Sequence, residues 1–327
     1  MSVTGRQPPI LPILGGSLAL VALAGALHAA GGEFRRGRSS FTVAIGDETI
    51  EYDTLAVSCM PGETLKLQIP MARPGEPFSL LSEGARPARV AETRSWQWRA
   101  PDEPGMREIH VVRESTSEAM VIRVFVLTPA TEIAGGKLHG YTIGSYPDEP
   151  LRGLPAYRTP RGFVEVTREN QDEAVSPHFR LRQFLCKQAG GFPKYVIVDT
   201  RLLRALEALL ETLNAAGFRA DTLFVMSGFR TPTYNAALGD TPYSRHQWGD
   251  AADVYPDHDG DGLIDDLDGN GKSDSRDADF LYTFIESLSG EKVFSPYTGG
   301  LGRYGSTRSH PPFVHIDTRG YRARWRE

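Results

Sequence analysis

Ser244-Arg245-His246-Gln247-Trp248-Gly249-Asp250-Ala251-Ala252-Asp253, followed far downstream by Phe313-Val314-His315-Ile316-Asp317, brings two imidazoles and a carboxylate into one ordered set. Hydrolytic zinc sites draw on these donors: three protein ligands hold the ion and a fourth position is left for water, whose pKa falls to about 7. His246, Asp253 and His315 would fill the three protein positions. Gly249, Ala251 and Ala252 are small enough to let the backbone curl, so that a loop imidazole and a strand carboxylate can meet. Residues two apart on a strand share a face, so Asp317 should emerge beside His315. It is expected either to orient that ligand or to act as the base that takes a proton from the attacking water, with His310 behind it in the second role. A structural ion pair to Arg319 or Arg322 is the alternative.

A second cation chemistry lies between Asp253 and a helix expected from about Ala278. Asp257, Asp259, Asp261, Asp265 and Asp268 occupy positions one, three, five, nine and twelve of an EF-hand-type loop, with Gly262 at six. Asp266, Asp268, Asn270, Asp274 and Asp277 repeat the register with Gly271 at six, so Asp268 belongs to both. The doubled pattern resembles the calcium repeats of thrombospondin type-3 and dockerin-like segments. One or two structural Ca2+ ions are therefore expected in the 257–277 insert, whose crowded carboxylates would otherwise repel one another into disorder. Because the insert begins four residues after Asp253, it is expected at the mouth of the zinc site, ordering one wall of the substrate groove.

These residues need a scaffold. Leu202, Leu203, Leu206, Leu209, Leu210 and Leu213 recur at helical spacing from about Thr200 to Ala216, with Gly217 as the stop. Leu223-Phe224-Val225-Met226 reads as a buried strand leading into the turn Ser227-Gly228-Phe229-Arg230. Upstream, 129–175 reads as a connector with one strand at Gly162-Phe163-Val164-Glu165-Val166. Residues 40–128 alternate with period two between Pro/Gly turns, which implies an antiparallel β-sandwich, immunoglobulin-like, with Trp96 and Trp98 packed in its core.

Composition sets outer bounds. A chain of 327 residues that is 40% hydrophobic can build two cores, and a net charge of -5 argues against nucleic acid as the main partner. Arg6 precedes an uncharged run from Gln7 to Gly32 whose apolar heart is Leu18 to Ala24. Residues 1–32 thus read as an export signal that is either cleaved or kept as a membrane anchor, and this places the protein in the periplasm or cell envelope. Cys59 and Cys186 fall in different expected domains and are read as free thiols.

Taken together, Ser-x-His-x-x-Gly-x-Ala-x-Asp, the preceding Ser227-Gly228-Phe229-Arg230-Thr231-Pro232, and the following Gly299-Gly300-Leu301-Gly302-Arg303-Tyr304 and Phe-Val-His-Ile-Asp-Thr resemble the zinc D-Ala-D-Ala carboxypeptidase superfamily. The ending resembles its periplasmic murein endopeptidase branch. This resemblance covers about Ser176 to Trp325, and implies an α+β zinc peptidase domain at 176–327 acting on peptidoglycan peptides. Endopeptidase action on cross-links is favoured over carboxypeptidase trimming, and the sandwich would contact the wall or an envelope protein. It also implies that Arg230 lies beside metal and substrate, where a guanidinium could hold a carboxylate or a developing oxyanion. The carboxypeptidase branch carries a Glu three residues before the last His; this chain has Pro312 there. A binding or adhesion module that keeps zinc and calcium for structure alone is therefore the rival expectation.

Overall fold

A computed structural model describes residues 34–327 apart from 74, 83–87, 90–93 and 290–296. The expected leader at 1–32 lies outside the described residues, and no helix among those described is long and apolar enough to cross a membrane. The described residues form a mixed α+β fold with several sheets and three α-helices: α1 (Thr200–Ala215), α2 (Pro232–Ala237) and α3 (Ser275–Leu288).

Strands between Arg38 and Val126 make a five-stranded and a four-stranded sheet. Within them pairing is antiparallel, except that Thr54–Cys59 runs parallel to Glu118–Val126. Alternate residues go inward, as the pleat dictates, so Val43, Ile45, Trp96 and Trp98 are all buried. The sheets meet through Phe41 and Phe78, whose rings lie 5.2 Å apart edge to face, and through Trp98, whose Nε1 donates to Ser82 Oγ at 2.9 Å. Both tryptophans are committed to packing. Cys59 and Cys186 are buried and unpaired.

α1 begins where Asp199 accepts the backbone N–H of Arg201 at 2.8 Å, and its leucine stripe is wholly buried. It joins the two halves of the molecule: Thr200 Oγ1 donates to the Ala56 carbonyl, Arg204 pairs with Glu48 and Glu51, and Arg38 pairs with Glu211. Residues 129–175 are built into the second half. Gly162–Val166 pairs with Lys194–Val196, Tyr146 Oη donates to the Gln247 carbonyl, and Trp248 Nε1 donates to the Arg158 carbonyl.

The sheet that carries the candidate ligands has the order Leu223–Ser227, Ala251–Pro256, Phe313–Asp317, Gly300–Tyr304, Ala323–Arg326. Pairing is antiparallel until the last strand, which lies parallel to Gly300–Tyr304. The first of these strands is only half buried, since Phe224 faces outward and stacks on Tyr255. α3 packs against the Gly300–Tyr304 and Phe313–Asp317 strands. It starts three residues before the expected Ala278, because Asp274 accepts from Arg276 N and Asp277 accepts from Asp274 N, closing a reciprocal cap.

Candidate metal centre

Asp253 and His315 are cross-strand partners in the central antiparallel pair, so their side chains stand side by side on one face. His246 reaches the same point from the turn Arg245–Trp248 just before its strand. That turn is interlocked with the Ser227–Arg230 turn: His246 Nδ1 bonds the Gly228 carbonyl at 2.7 Å, and Arg230 N bonds the His246 carbonyl at 3.0 Å.

Gly249 closes the turn in the left-handed region at φ +71, and a Cβ there would lie 2.3 Å from the Ile197 carbonyl oxygen. Both backbone conformation and space therefore demand glycine. Gly249→Ala is expected to cost about 2–4 kcal/mol and to shift His246 out of register. Urea unfolding read together with bound metal checks this; a wild-type midpoint would contradict it.

His246, Asp253 and His315 form a buried cluster able to hold a metal ion. Its three facing atoms define a small triangle. His246 Nε2 to Asp253 Oδ1 is 3.1 Å, His246 Nε2 to His315 Nδ1 is 3.1 Å, and His315 Nδ1 to Asp253 Oδ1 is 2.9 Å. An ion with ligands at roughly 2.0–2.1 Å in tetrahedral geometry has ligand-to-ligand edges of roughly 3.3 Å, so the set fits a zinc-sized ion.

Tautomers agree with this reading. His246 Nδ1 is committed to a carbonyl and His315 Nε2 to Asp317 Oδ2 at 3.0 Å, which makes both nitrogens N–H donors. With both rings neutral, the state that metal binding requires, the lone pairs are left on the two nitrogens that face Asp253.

Electrostatics are dominated by burial and close pairing. Burial lowers the His246 pKa below its ordinary value, with Asp253 opposing and Arg230 adding to the effect. At His315 burial also disfavours charge, but Asp253 and Asp317 outweigh it and push the pKa up to about 9. Asp253, despite burial, is held well below the carboxylate range by His246 and His315, and Asp317 by His315 and Arg319.

Arg230 lines the site, with each nitrogen already donating: Nε to Ser227 Oγ at 2.8 Å, one Nη to Asp240 at 3.0 Å and the other to Asp253 Oδ2 at 2.6 Å. It therefore fixes Asp253 so that Oδ1 points at the imidazoles. Asp317 sits on the far side of His315 from the ligand triangle. Its oxygens accept from His315 Nε2, Gly300 N and Arg319, so the expected ion pair to Arg319 is present, and it does not line the groove.

The cluster lies on a groove of about 860 Å3, whose walls include Tyr234, Tyr243, Tyr304, Phe313 and Trp325. Trp325 approaches His315 at 5.2 Å and donates to Tyr304 Oη at 2.8 Å. Burial pushes the Tyr304 hydroxyl up to about 12. Sequence reasoning had no signal for Lys187, Asp240 or Trp325, which stand in the groove without belonging to a motif.

The acidic insert gathers in two places. Asp257, Asp259 and Asp265 converge in one, and Asp266, Asp268 and Asp277 in the other. Asp268 thus joins the second set alone. Asp261 turns to its own loop, accepting from Leu263 N; Asp274 caps α3; and Asn270 N donates to Asp266 and Asp268. Burial raises the Asp265 and Asp277 pKa values. None of the residues 257–277 lines the groove, which corrects the expectation that the insert stands at its mouth. Four strand residues carry the chain roughly 13 Å from Asp253 before the insert starts, toward the Leu223 end of the neighbouring strand.

Comparison with known proteins finds no family model that matches this chain and no curated protein that matches it.

Proposed function

We propose that this chain is an exported zinc metallopeptidase that hydrolyses peptide cross-links or stem peptides of bacterial peptidoglycan, with endopeptidase action ahead of carboxypeptidase trimming. The observation that carries the reading is the convergence of His246 Nε2, Asp253 Oδ1 and His315 Nδ1 on a groove with room for a peptide. The motif order that resembles the zinc D,D-peptidases adds the substrate class. Zinc held there would supply Lewis acidity and water activated at neutral pH.

The chain's own groups do the rest. Asp317, itself held by Arg319, keeps His315 in the tautomer that presents Nδ1. Arg230 holds Asp253 in place at the groove's edge. His310 is the proton acceptor: its Nδ1 donates to the Pro311 carbonyl at 2.9 Å, which leaves the Nε2 lone pair free beside the groove. The 257–277 clusters take structural Ca2+, and the N-terminal sheets, read as an immunoglobulin-like sandwich, hold the enzyme to the wall or to an envelope protein.

A non-catalytic binding module is the second reading. What favours it is that Asp240 and Asp253, which line the groove, are both paired with Arg230, and that Pro312 stands where the carboxypeptidase branch has Glu. Purified sacculi incubated with wild type and with His246→Ala separate the two. New muropeptides from wild type alone are expected; identical profiles would favour the binder.

A further inference from the structure

Among the described residues, five long-chain cations line the groove beside the ligand cluster, and four of them are already ion-paired. Arg230 is paired with Asp240 and Asp253, Arg245 with Asp250, Arg319 with Asp317, and Arg324 with Glu286. Lys187 is the exception. It lines the same groove, is exposed, and makes no ion pair or hydrogen bond among the described residues.

Its backbone, in contrast, is firmly placed. Cys186 before it is buried, and Gln188 after it donates to the Thr142 carbonyl at 2.8 Å and accepts from Thr231 Oγ1 at 2.6 Å. Thr231 adjoins Arg230, so the Lys187 segment is tied to the segment that positions Asp253. An unpaired ammonium on a fixed backbone, beside a cleft whose other described long-chain cations are all ion-paired, is a ready-made anion subsite.

We propose that Lys187 is the specificity-determining residue of the groove, and that it binds the carboxylate of a substrate residue adjoining the cleaved bond. This rests on the peptidase reading for its substrate class and alters one part of it. Recognition of the substrate's negative charge passes from Arg230, whose charge is already matched by Asp240 and Asp253, to Lys187. A charge-assisted bond of this kind distinguishes a carboxylate from its neutral amide by on the order of 10- to 100-fold.

The test compares N-acetyl-D-alanine with N-acetyl-D-alaninamide as ligands of the zinc-loaded full-length chain, titrated by ligand-observed NMR. Wild type should prefer the acid by about ten-fold or more. Lys187→Gln should bring the two affinities to within about two-fold, Lys187→Arg should keep most of the preference, and zinc content should be the same in all three. A preference contributed by the ion itself would be common to every variant, so the difference between variants is what counts. An unchanged preference in Lys187→Gln, or none in wild type, would overturn the assignment. Sacculus digestion with an unchanged Lys187→Gln preference would remove the Lys187 subsite and leave the peptidase; a lost preference without digestion would do the reverse.

Discussion

Asp253→Asn is expected to leave the purified chain with less than roughly a tenth of the zinc that wild type holds, and to lower murein cleavage by on the order of 1,000-fold. Asp253 is the only anionic corner of the ligand triangle; the other two are imidazoles. It also neutralises Arg230, whose side chain is only 13% exposed and whose Nη lies 2.6 Å from Oδ2. An amide would keep the shape and remove the charge, so a divalent ion would share its pocket with two neutral rings and a half-paired guanidinium. Loss of an outer partner of a metal ligand already costs about 10- to 100-fold in affinity, and loss of the ligand's own charge beside a cation must exceed that. Metal analysis of both proteins, with circular dichroism to show that the variant is folded, reads the result directly. One zinc per chain in Asp253→Asn would end the case for this centre.

The ligand set was legible because its three residues sit in short motifs whose order survives in the primary sequence. What makes them a site was not. Asp253 faces His315 because two strands pair in one particular register, and a slip of one residue would have turned the carboxylate to the opposite face. Gly249 could be read from sequence as a residue that permits a curl, but not as one that must pass close to the Ile197 carbonyl, since that contact belongs to a segment far upstream.

Asp317 shows the same limit more sharply. Alternation on a strand places it beside His315, and does so correctly, yet alternation does not say which edge of the ring it meets. Gly300 and Arg319, arriving from a neighbouring strand and the following turn, draw the carboxylate away from the groove. Lys187 was invisible for another reason: Cys-Lys-Gln is an ordinary string, and only the pairing of the surrounding arginines with carboxylates of the chain sets the ammonium apart. Patterning within an element, such as the leucine stripe of α1 or the inward Trp96 and Trp98, is local and was readable. Charge bookkeeping across a groove is global and was not.

Calcium removal should produce the largest change in stability. The two acidic clusters have no Lys or Arg ion pair among the described residues; their carboxylates instead accept from backbone N–H groups, as where Asp266 accepts from Gly269, Asn270 and Gly271. Backbone dipoles soften the repulsion of three carboxylates but do not cancel their net charge, and a divalent cation does. The insert is also tied to the core, since Ile264 and Leu267 are buried and Asp277, wholly buried at the start of α3, accepts from Leu267 N and Asp268 N. Loss of the ions should therefore propagate into α3 and the sheet beneath it. Two ions, each at about 100 times its dissociation constant, would contribute about 5 kcal/mol, or roughly 10 °C in Tm for a chain of this size. Protein stripped with EDTA and refilled with zinc alone should melt lower by that amount and be cut by trypsin at the exposed Lys272, while zinc plus calcium restores both. Because no insert residue lines the groove, the acid-over-amide preference at room temperature should survive calcium removal. Equal melting temperatures and equal digestion patterns with and without calcium would show that the acidic loop is held by its own backbone and by nothing else.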